Sequence, residues 1–318
     1  MATALDLTLA EPLLPERPRG VAAVTRFVLS FMRRKPLGAI GGVIVVIMLL
    51  CALAVDTALI GGEAPLIAPT HYDDQTFGDE NLGISVSHPM GTDNAGRDIF
   101  SRILYGARIS IIIGVSAVAI ASIVALVLGT VSGYFGSWTD TIIQRLVDIV
   151  LAIPPIVLLI YGVTVFAGRA GPYTRMFWII LIVGLILSAG ASRVVRGAAI
   201  ATSSNPYVDA ARTLGATNSR IIFVHIVPNV IPVVIVLATV NLGTAILAEA
   251  AISFLGLGIP SPFPSWGAML NISGSSQFRA HPAQAIWPGL AIAFAVYGFN
   301  MLGDGLRDVL DPRLRGSR

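Results

Sequence analysis

Charge is what this sequence has least of. Only 12% of its 318 residues are Asp, Glu, Lys or Arg, against about 25% in an average soluble domain. A soluble fold of this length needs a charged shell, and the charges to build one are missing. Cysteine is almost absent too. Cys51 stands alone, which excludes a disulfide framework and leaves the redox compartment unreadable. No G-x-x-x-x-G-K-[ST], H-E-x-x-H or G-x-S-x-G occurs, so a phosphate-binding loop, a zinc-protease helix and a serine-hydrolase elbow are all lacking. Any work this chain performs draws its energy from elsewhere. Alternating segments of about ten residues, the mark of a membrane β-barrel, are missing as well.

What is present is long and apolar. The stretch "IGGVIVVIMLLCALAV" (40–55) is apolar on every side. Between charged residues run 20 positions from Pro36 to Val55, 31 from Ile109 to Thr139 and 20 from Ile149 to Gly168. Three more run 17 from Met176 to Ser192, 28 from Ile221 to Ala248 and 24 from Ala280 to Gly303. A span needs about 20 largely apolar residues to cross the hydrocarbon core. Backbone groups in lipid must be satisfied within their own segment, which leaves helices. The expectation is an all-α membrane protein with six transmembrane helices, at about 37–56, 109–132, 146–167, 177–195, 226–252 and 284–304. "RRK" ahead of the first run and "ALA" (52–54) inside it imitate a cleavable signal. The segment preceding the run is too long for a signal n-region, so a retained first span is expected.

The loops set the orientation. Arg17, Arg19, Arg26, Arg33, Arg34 and Lys35 precede the first span. The loop 57–108 carries Glu63, Asp73, Asp74, Asp79, Glu80, Asp93 and Asp98 against only Arg97, Arg102 and Arg108. Arg193, Arg196, Arg212 and Arg220 lie between spans four and five, and Arg307, Arg313, Arg315 and Arg318 in the tail. Basic residues mark the cytoplasmic side, so the N and C termini are expected inside, in the cell (inner or plasma) membrane of a multi-pass protein. The short loop with Arg169 and Arg175 runs against this rule, and six spans with an inside start still place it outside. The chain then divides into a cytoplasmic segment 1–36, a first span with an extracytoplasmic loop and interfacial helix over 37–108, and a five-helix core over 109–318. The formal charge of +3 follows from this bias and requires no nucleic acid.

One polar stretch interrupts the core: "SSNPYVDAARTLGATNSRIIFVHIVPN" (203–229). Asn205 is a capping residue and Pro206 suits a first helical position. Tyr207, Ala210, Ala211 and Leu214 recur at i, i+3, i+4 and i+7 as one small apolar stripe, with Asp209, Arg212 and Thr213 off it. Gly215 stands where a left-handed C′ residue belongs, and Asn218 or Ser219 is placed to cap the next helix. Periodicity alone fits a connector in the lipid interface as well as a helix docked in a protein groove. The small stripe favours close approach by another protein surface.

The run "DAARTLGATNSRIIFVHIVPN" resembles the cytoplasmic EAA loop of ABC importer permeases, at Asp209, Ala210, Ala211, Gly215 and Pro228. Aspartate stands at 209 where that pattern has glutamate, and valine precedes the proline. "HPMGTDNAGRDIFSRILYGARIS" (88–110), "EAAISFLGLGIPSPFPSWGAML" (249–270) and "GLRDVLDPRLR" (305–315) are similar to signatures of the C-type permeases of dipeptide, oligopeptide and nickel importers. The resemblance implies a type I ABC importer (MetI-like) permease fold whose loop at about 203–220 couples to ATPases. It implies three kinds of partner beside the lipid bilayer: a second homologous permease, two cytoplasmic ATP-binding subunits and an extracytoplasmic substrate-binding protein. ATP and Mg would be used by those subunits, with no cofactor or metal bound by this chain and no catalytic residue in it. An importer of nickel complexes or another small solute, or an ion-coupled secondary transporter, is the alternative. The latter usually shows internal repeats and midplane charges, neither of which is evident.

Other landmarks remain. Ile99, Phe100, Ile103 and Leu104 form one face of an expected interfacial helix in which Asp98 pairs with Arg102. It suits either an external docking surface or a membrane anchor. His71, Asp73, Asp74 and His88 have metal-ligand chemistry but irregular spacing, so an ordinary acidic loop is expected. Asp148 is expected to pair with Arg145, and Asp304 with Arg307. Glu249, an ionisable residue inside a span, carries a functional expectation. With Phe254 it is the candidate for closing an outer gate or bonding a partner subunit. Pro154 and Pro155 interrupt span three, and Pro228 and Pro232 span five. Trp178, Trp266 and Trp287 fit interfacial belts.

Overall fold

Long apolar runs that cannot leave their backbone groups unpaired become helices. The computed structural model describes residues 21–55, 66–168, 170–272 and 279–310, and no strand forms among them. Arg17, Arg19, Glu63, Arg169, Arg313, Arg315 and Arg318, used above for orientation, lie outside the described residues. Helix α1 (Val21–Arg34) turns at Lys35 into α2 (Pro36–Ala54). Then come α3 (Ile99–Phe135), α4 (Ser137–Ala152), α5 (Pro155–Ala167), α6 (Pro172–Ser203) and α7 (Pro206–Thr213). A single turn α8 (Asn218–Arg220) and a π-helical segment Ile221–Ile226 lead into α9 (Val227–Phe254). Helix α10 (Trp266–Ile272) and α11 (Ala283–Leu310) complete the described fold.

Small residues set the helix pairing, as expected where apolar contact with lipid is as good as apolar contact with a neighbour. A Cβ at Gly129 of α3 would meet Ser192 O at 2.7 Å, and one at Gly184 of α6 would meet Ala117 O at 2.8 Å. These contacts advance together along both helices, so α3 and α6 run parallel. Ile246 lies against Gly114 and Glu249 bonds Ser110, so α9 runs antiparallel to α3. Gly41 of α2 packs on Gly298 of α11. The result gives the bundle two distinct ends. One gathers Lys35, the α3–α4 turn, α7 and the Lys35–Asp308 ion pair. The other gathers the 66–98 segment and α10.

Among the described residues, five helices are long and apolar enough to cross a membrane, or up to six if α4 and α5 together count as one span. The expected third span, 146–167, is therefore not one continuous helix. It bends by 89° between α4 and α5. The prolines explain the break: Pro155 has no N–H for the carbonyl four residues back, and each residue before a proline is pushed out of the helical region. Ile153 (φ −99°, ψ 133°) and Pro154 (φ −53°, ψ 130°) are extended accordingly. Pro228 and Pro232 act more gently. Pro232 stays inside α9, while the turn before Pro228 relaxes to π geometry, with Val227 N–H donating to Ile222 O.

The expected interfacial helix over 99–108 and the second span are a single 37-residue helix, α3. The Asp98–Arg102 side-chain pair does not form. Asp98 is the N-cap of α3, and its Oδ2 accepts from Ser101 N (2.7 Å) and Ser101 Oγ (2.8 Å). A carboxylate that answers the free N–H groups of a first turn is not available one turn later. Its Oδ1 meets His88 Nδ1 at 3.0 Å. Arg102 is buried instead beside Asp93 (Nε–Oδ2 3.7 Å) and donates to Tyr72 O at 2.9 Å. Trp266 is not in an interfacial belt either. It is 2% exposed and donates from Nε1 to Ile103 O at 3.0 Å, a contact that exists because α3 begins ten residues before the expected span. Trp287 packs against the same core cluster, and Trp178 stacks on Phe166.

Candidate functional site

Helix α7 sits at the end of the bundle where α6 stops. The joint is stiff. Asn205 has the extended backbone of an N-cap (φ −79°, ψ 143°), but its side chain makes no capping bond. It turns back, donating from Nδ2 to Thr202 O (3.0 Å) and Ala201 O (3.3 Å). The amide thus ties the α6 terminus to the start of α7 rather than capping α7. Pro206 occupies the first helical position as the sequence requires.

At the other end, Gly215 has φ +81°. Gly215 N donates to Arg212 O (2.9 Å) and Ala216 N to Ala211 O (3.0 Å). That pair of bonds is the Schellman closure, and its C′ residue must enter the left-handed region. The next cap is Thr217, whose Oγ1 accepts from Arg220 N, one residue before the expected Asn218. Asn218 is engaged elsewhere: its Oδ1 accepts from Tyr134 OH at 2.8 Å.

Val208 fixes the rotation of α7. It is fully buried in a cluster with Ala125, Val195, Ala199, Ile221 and Val230, which joins α3, α6 and α9. The predicted stripe points the other way. Leu214 is 87% exposed and Tyr207 45%; Ala210 and Gly215 are exposed and Ala211 half-buried. Together with Arg220 and His225 they line an open groove of about 570 Å³. Asp209 and Pro228 are exposed and do not line it. Asp209 instead pairs with Arg212 at 3.1 Å, and Arg212 lies 5.4 Å over the Tyr134 ring. Sequence reasoning missed Val208. Its signal was a β-branched residue standing one position off the small stripe.

The arrangement is a helix anchored through Val208 with a bare small-residue face. Val208 joins it to α3, α6 and α9, and Arg212 lies over Tyr134 of α3.

Glu249 and Phe254, the other predicted pair, stand at the opposite end and have different surroundings. Glu249 is fully buried within its own chain, accepting from Ser253 Oγ (2.7 Å) and Ser110 Oγ (3.1 Å). It has no surface to offer a partner subunit, so that alternative is set aside. Phe254 is 50% exposed, and its carbonyl accepts from Asn271 Nδ2. The 66–98 segment beside them is folded: Asp93 accepts from Ala95 N (2.8 Å), Arg97 N (3.0 Å) and Arg97 Nε (2.8 Å). Gln284 Nε2 of α11 donates to Asn81 Oδ1 (2.8 Å) and Thr92 O (3.1 Å).

Two family models match the sequence. Residues 125–316, which include α7 and its groove, match the binding-protein-dependent transport system inner membrane components. Residues 28–83 match the N-terminal transmembrane domain of oligopeptide transport permease C. Among individual relatives, the chain is 40% identical to a dipeptide transport system permease protein of Alkalihalophilus pseudofirmus, over 89% of this chain and 88% of that one. It is 36% identical to an oligopeptide transport system permease protein of Bacillus subtilis, again over 89% and 88%. A glutathione transport system permease protein of Pectobacterium atrosepticum is 40% identical over 77% of this chain and 80% of its own.

Proposed function

Because this chain belongs to the family of binding-protein-dependent transport system inner membrane components, we propose that it is the permease subunit of an ATP-driven ABC importer of peptides, with α7 as its coupling helix. The names of the dipeptide and oligopeptide relatives support the substrate class. The chain is a multi-pass membrane protein. Counting α4 and α5 as one broken span gives six, in a MetI-like permease fold. Both termini and α7 then lie in the cytoplasm, an assignment supported by Arg33, Arg34, Lys35, Arg193, Arg196, Arg212 and Arg220 on one end of the bundle. The partners are a second homologous permease, two cytoplasmic ATP-binding subunits that use ATP and Mg, and an external binding protein facing the 66–98 end.

The observation that carries this reading is the division of α7 into two faces. Val208 is locked into its own chain while Tyr207, Ala210, Leu214 and Gly215 are left bare around a groove. When ATP closes the ATPases, the helix they grip moves as one body with α6. The break between α4 and α5 supplies a second joint, and the spans tilt from inward-open to outward-open. ATP shifts this equilibrium only if the ATPase contacts α7 differently in the two states. Glu249 braces the outer end of α9, and Phe254, half exposed, is the residue there free to meet the second permease.

The test is Leu214→Ala in the reconstituted four-subunit importer with its binding protein. At 87% exposure the leucine contributes little to the fold of this chain. ATP hydrolysis should continue while peptide uptake falls about tenfold, as for loss of one central anchor of an interface. Wild-type uptake by the variant would end the coupling role. Uptake driven by a proton gradient without ATP would point to a secondary transporter instead. In a Cys51→Ser background, Arg212→Cys should react with impermeant thiol reagents only from the cytoplasmic side.

A further inference from the structure

The bend between α4 and α5 leaves a concave face in the middle of the bundle. Pro155, Leu159, Val183, Leu187 and Leu247 line it, in a groove of about 550 Å³. Among the described residues, no Asp, Glu, Lys or Arg lines this groove, and Asn241 and Thr244 are its only side chains with hydrogen-bonding groups. Asn241 is the fifteenth of the 28 residues of α9 (Val227–Phe254), hence near midspan. It is partly exposed, and its amide has no hydrogen-bond partner among the described residues. Thr244 stands three residues on, exposed on the same face.

An unpaired amide facing lipid tails is costly, so this face meets something polar. We infer that the groove is a wet half-channel in which Asn241, seconded by Thr244, hydrogen-bonds the peptide unit of the passing solute. This rests on the peptide-importer reading. The chemistry fits that unit: a side-chain amide carries one acceptor oxygen and a donor NH₂, matching the N–H and C=O that every peptide shows whatever its side chains. The volume lies within the range of small-ligand sites, which are mostly apolar with a few polar groups. The uncharged lining offers no counter-charge to either terminus of a zwitterion, so the solute is oriented without being held. Selection by residue identity would then belong to the binding protein, and the channel would read only the backbone. A second permease seated on this face is less consistent with it, because the wall is hollowed by the 89° bend rather than shaped as a packing ridge.

Two measurements on the full importer in proteoliposomes test this. In a Cys51→Ser background, Asn241→Cys should react with a charged, water-soluble methanethiosulfonate at least about tenfold faster than Ile235→Cys, since only a hydrated thiol ionises readily. Ile235 is 43% exposed but does not line the groove. Labelling no faster than at Ile235 overturns the wet groove. In the second arm, Asn241→Leu should lower dialanine and pentaalanine uptake about tenfold, the worth of a single solute hydrogen bond. Asn241→Gln should retain most uptake, and binding-protein-stimulated ATP hydrolysis should persist in both. Normal uptake by Asn241→Leu overturns the assignment of Asn241, as does loss of the second permease on purifying that variant, which would make the residue a subunit contact. The two readings fail separately. A wild-type complex that imports neither peptide sinks the peptide assignment even when Asn241→Cys labels rapidly.

Discussion

Arg196 of α6 grips Asp140 of α4 with two nitrogens of its guanidinium, the Nε–Oδ1 contact measuring 2.6 Å. Ser132 of α3 donates to the same carboxylate, and Gln144 Nε2 donates to Ser132 Oγ at 3.1 Å. Eight residues along α4, Asp148 takes Arg193 of α6 as a second partner, in addition to the expected Arg145 at 3.6 Å. Helix α4 is thus pinned to α6 just before α6 hands over to α7. The Asp140 and Arg196 side chains are 20% and 33% exposed, so the pair is worth about 1 kcal/mol rather than the several of a dry one.

The first prediction follows from that pinning. Asp140→Asn and Arg196→Gln should each lower peptide uptake per ATP hydrolysed, because the bent α4–α5 unit no longer follows α6. The exchanged pair, Asp140→Arg with Arg196→Asp, should restore part of it. A double-mutant cycle on thermal unfolding should return a coupling energy of about 1 kcal/mol. A coupling near zero would make the contact decorative.

Val208 and Leu214 should separate folding from coupling. Val208→Ala removes two fully buried methyl groups, at a cost of about 2 kcal/mol including the cavity, and should lower the melting temperature of the purified complex. Leu214→Ala should leave the melting temperature of this chain unchanged and weaken capture of the ATPase subunits. Equal loss of stability in both would mean that α7 docks on its own bundle through the predicted stripe after all.

Much of the fold was legible because length and charge depletion are insensitive to detail. Uncharged runs of 20 and 31 residues admit few structures in lipid. The ends of α7 were legible to within one residue because Pro206 and Gly215 each fit one kind of backbone, although Asn205 does not cap it. Three things were not. The 89° bend depends on how neighbours receive a proline break, and proline pairs otherwise only permit it. Val208 was hidden because periodicity finds a stripe without saying whether the chain's own core or a partner covers it. Arg102 and Trp266 were misplaced because α3 runs on beyond the uncharged interval. A charge count ends a span where the charge appears, even when a folded loop buries that charge with Asp93.

Gly215 tests the backbone directly. A Cβ there would meet nothing within 4 Å in this chain, so any harm comes from the +81° φ or from a partner. Gly215→Ala should cost about 1–2 kcal/mol for a left-handed residue, whereas Gly215→Asn, which tolerates that region, should cost less. If both fold but only the larger side chain abolishes ATPase coupling, the contact is steric. If stability and coupling fall together and in the same order, the closure of α7 is what matters.

Glu249 offers the contrast of a buried polar group that α7 never touches. Ser110, Ser253 and Ser265 are 0%, 2% and 0% exposed, and all three side chains hydrogen-bond this carboxyl group. Glu249→Gln keeps an acceptor oxygen for one of them and should unfold close to the wild-type temperature. Glu249→Leu strands three hydroxyls in a dry site, at about 1–3 kcal/mol each, and should melt well below it. The quadruple change that adds Ser110→Ala, Ser253→Ala and Ser265→Ala should recover much of the loss, because removing every partner costs less than orphaning some of them. Failure of that recovery would mean that the carboxyl group itself, rather than its hydrogen bonds, is needed where α3 meets α9, which would make Glu249 a working part of the outer end and not a brace.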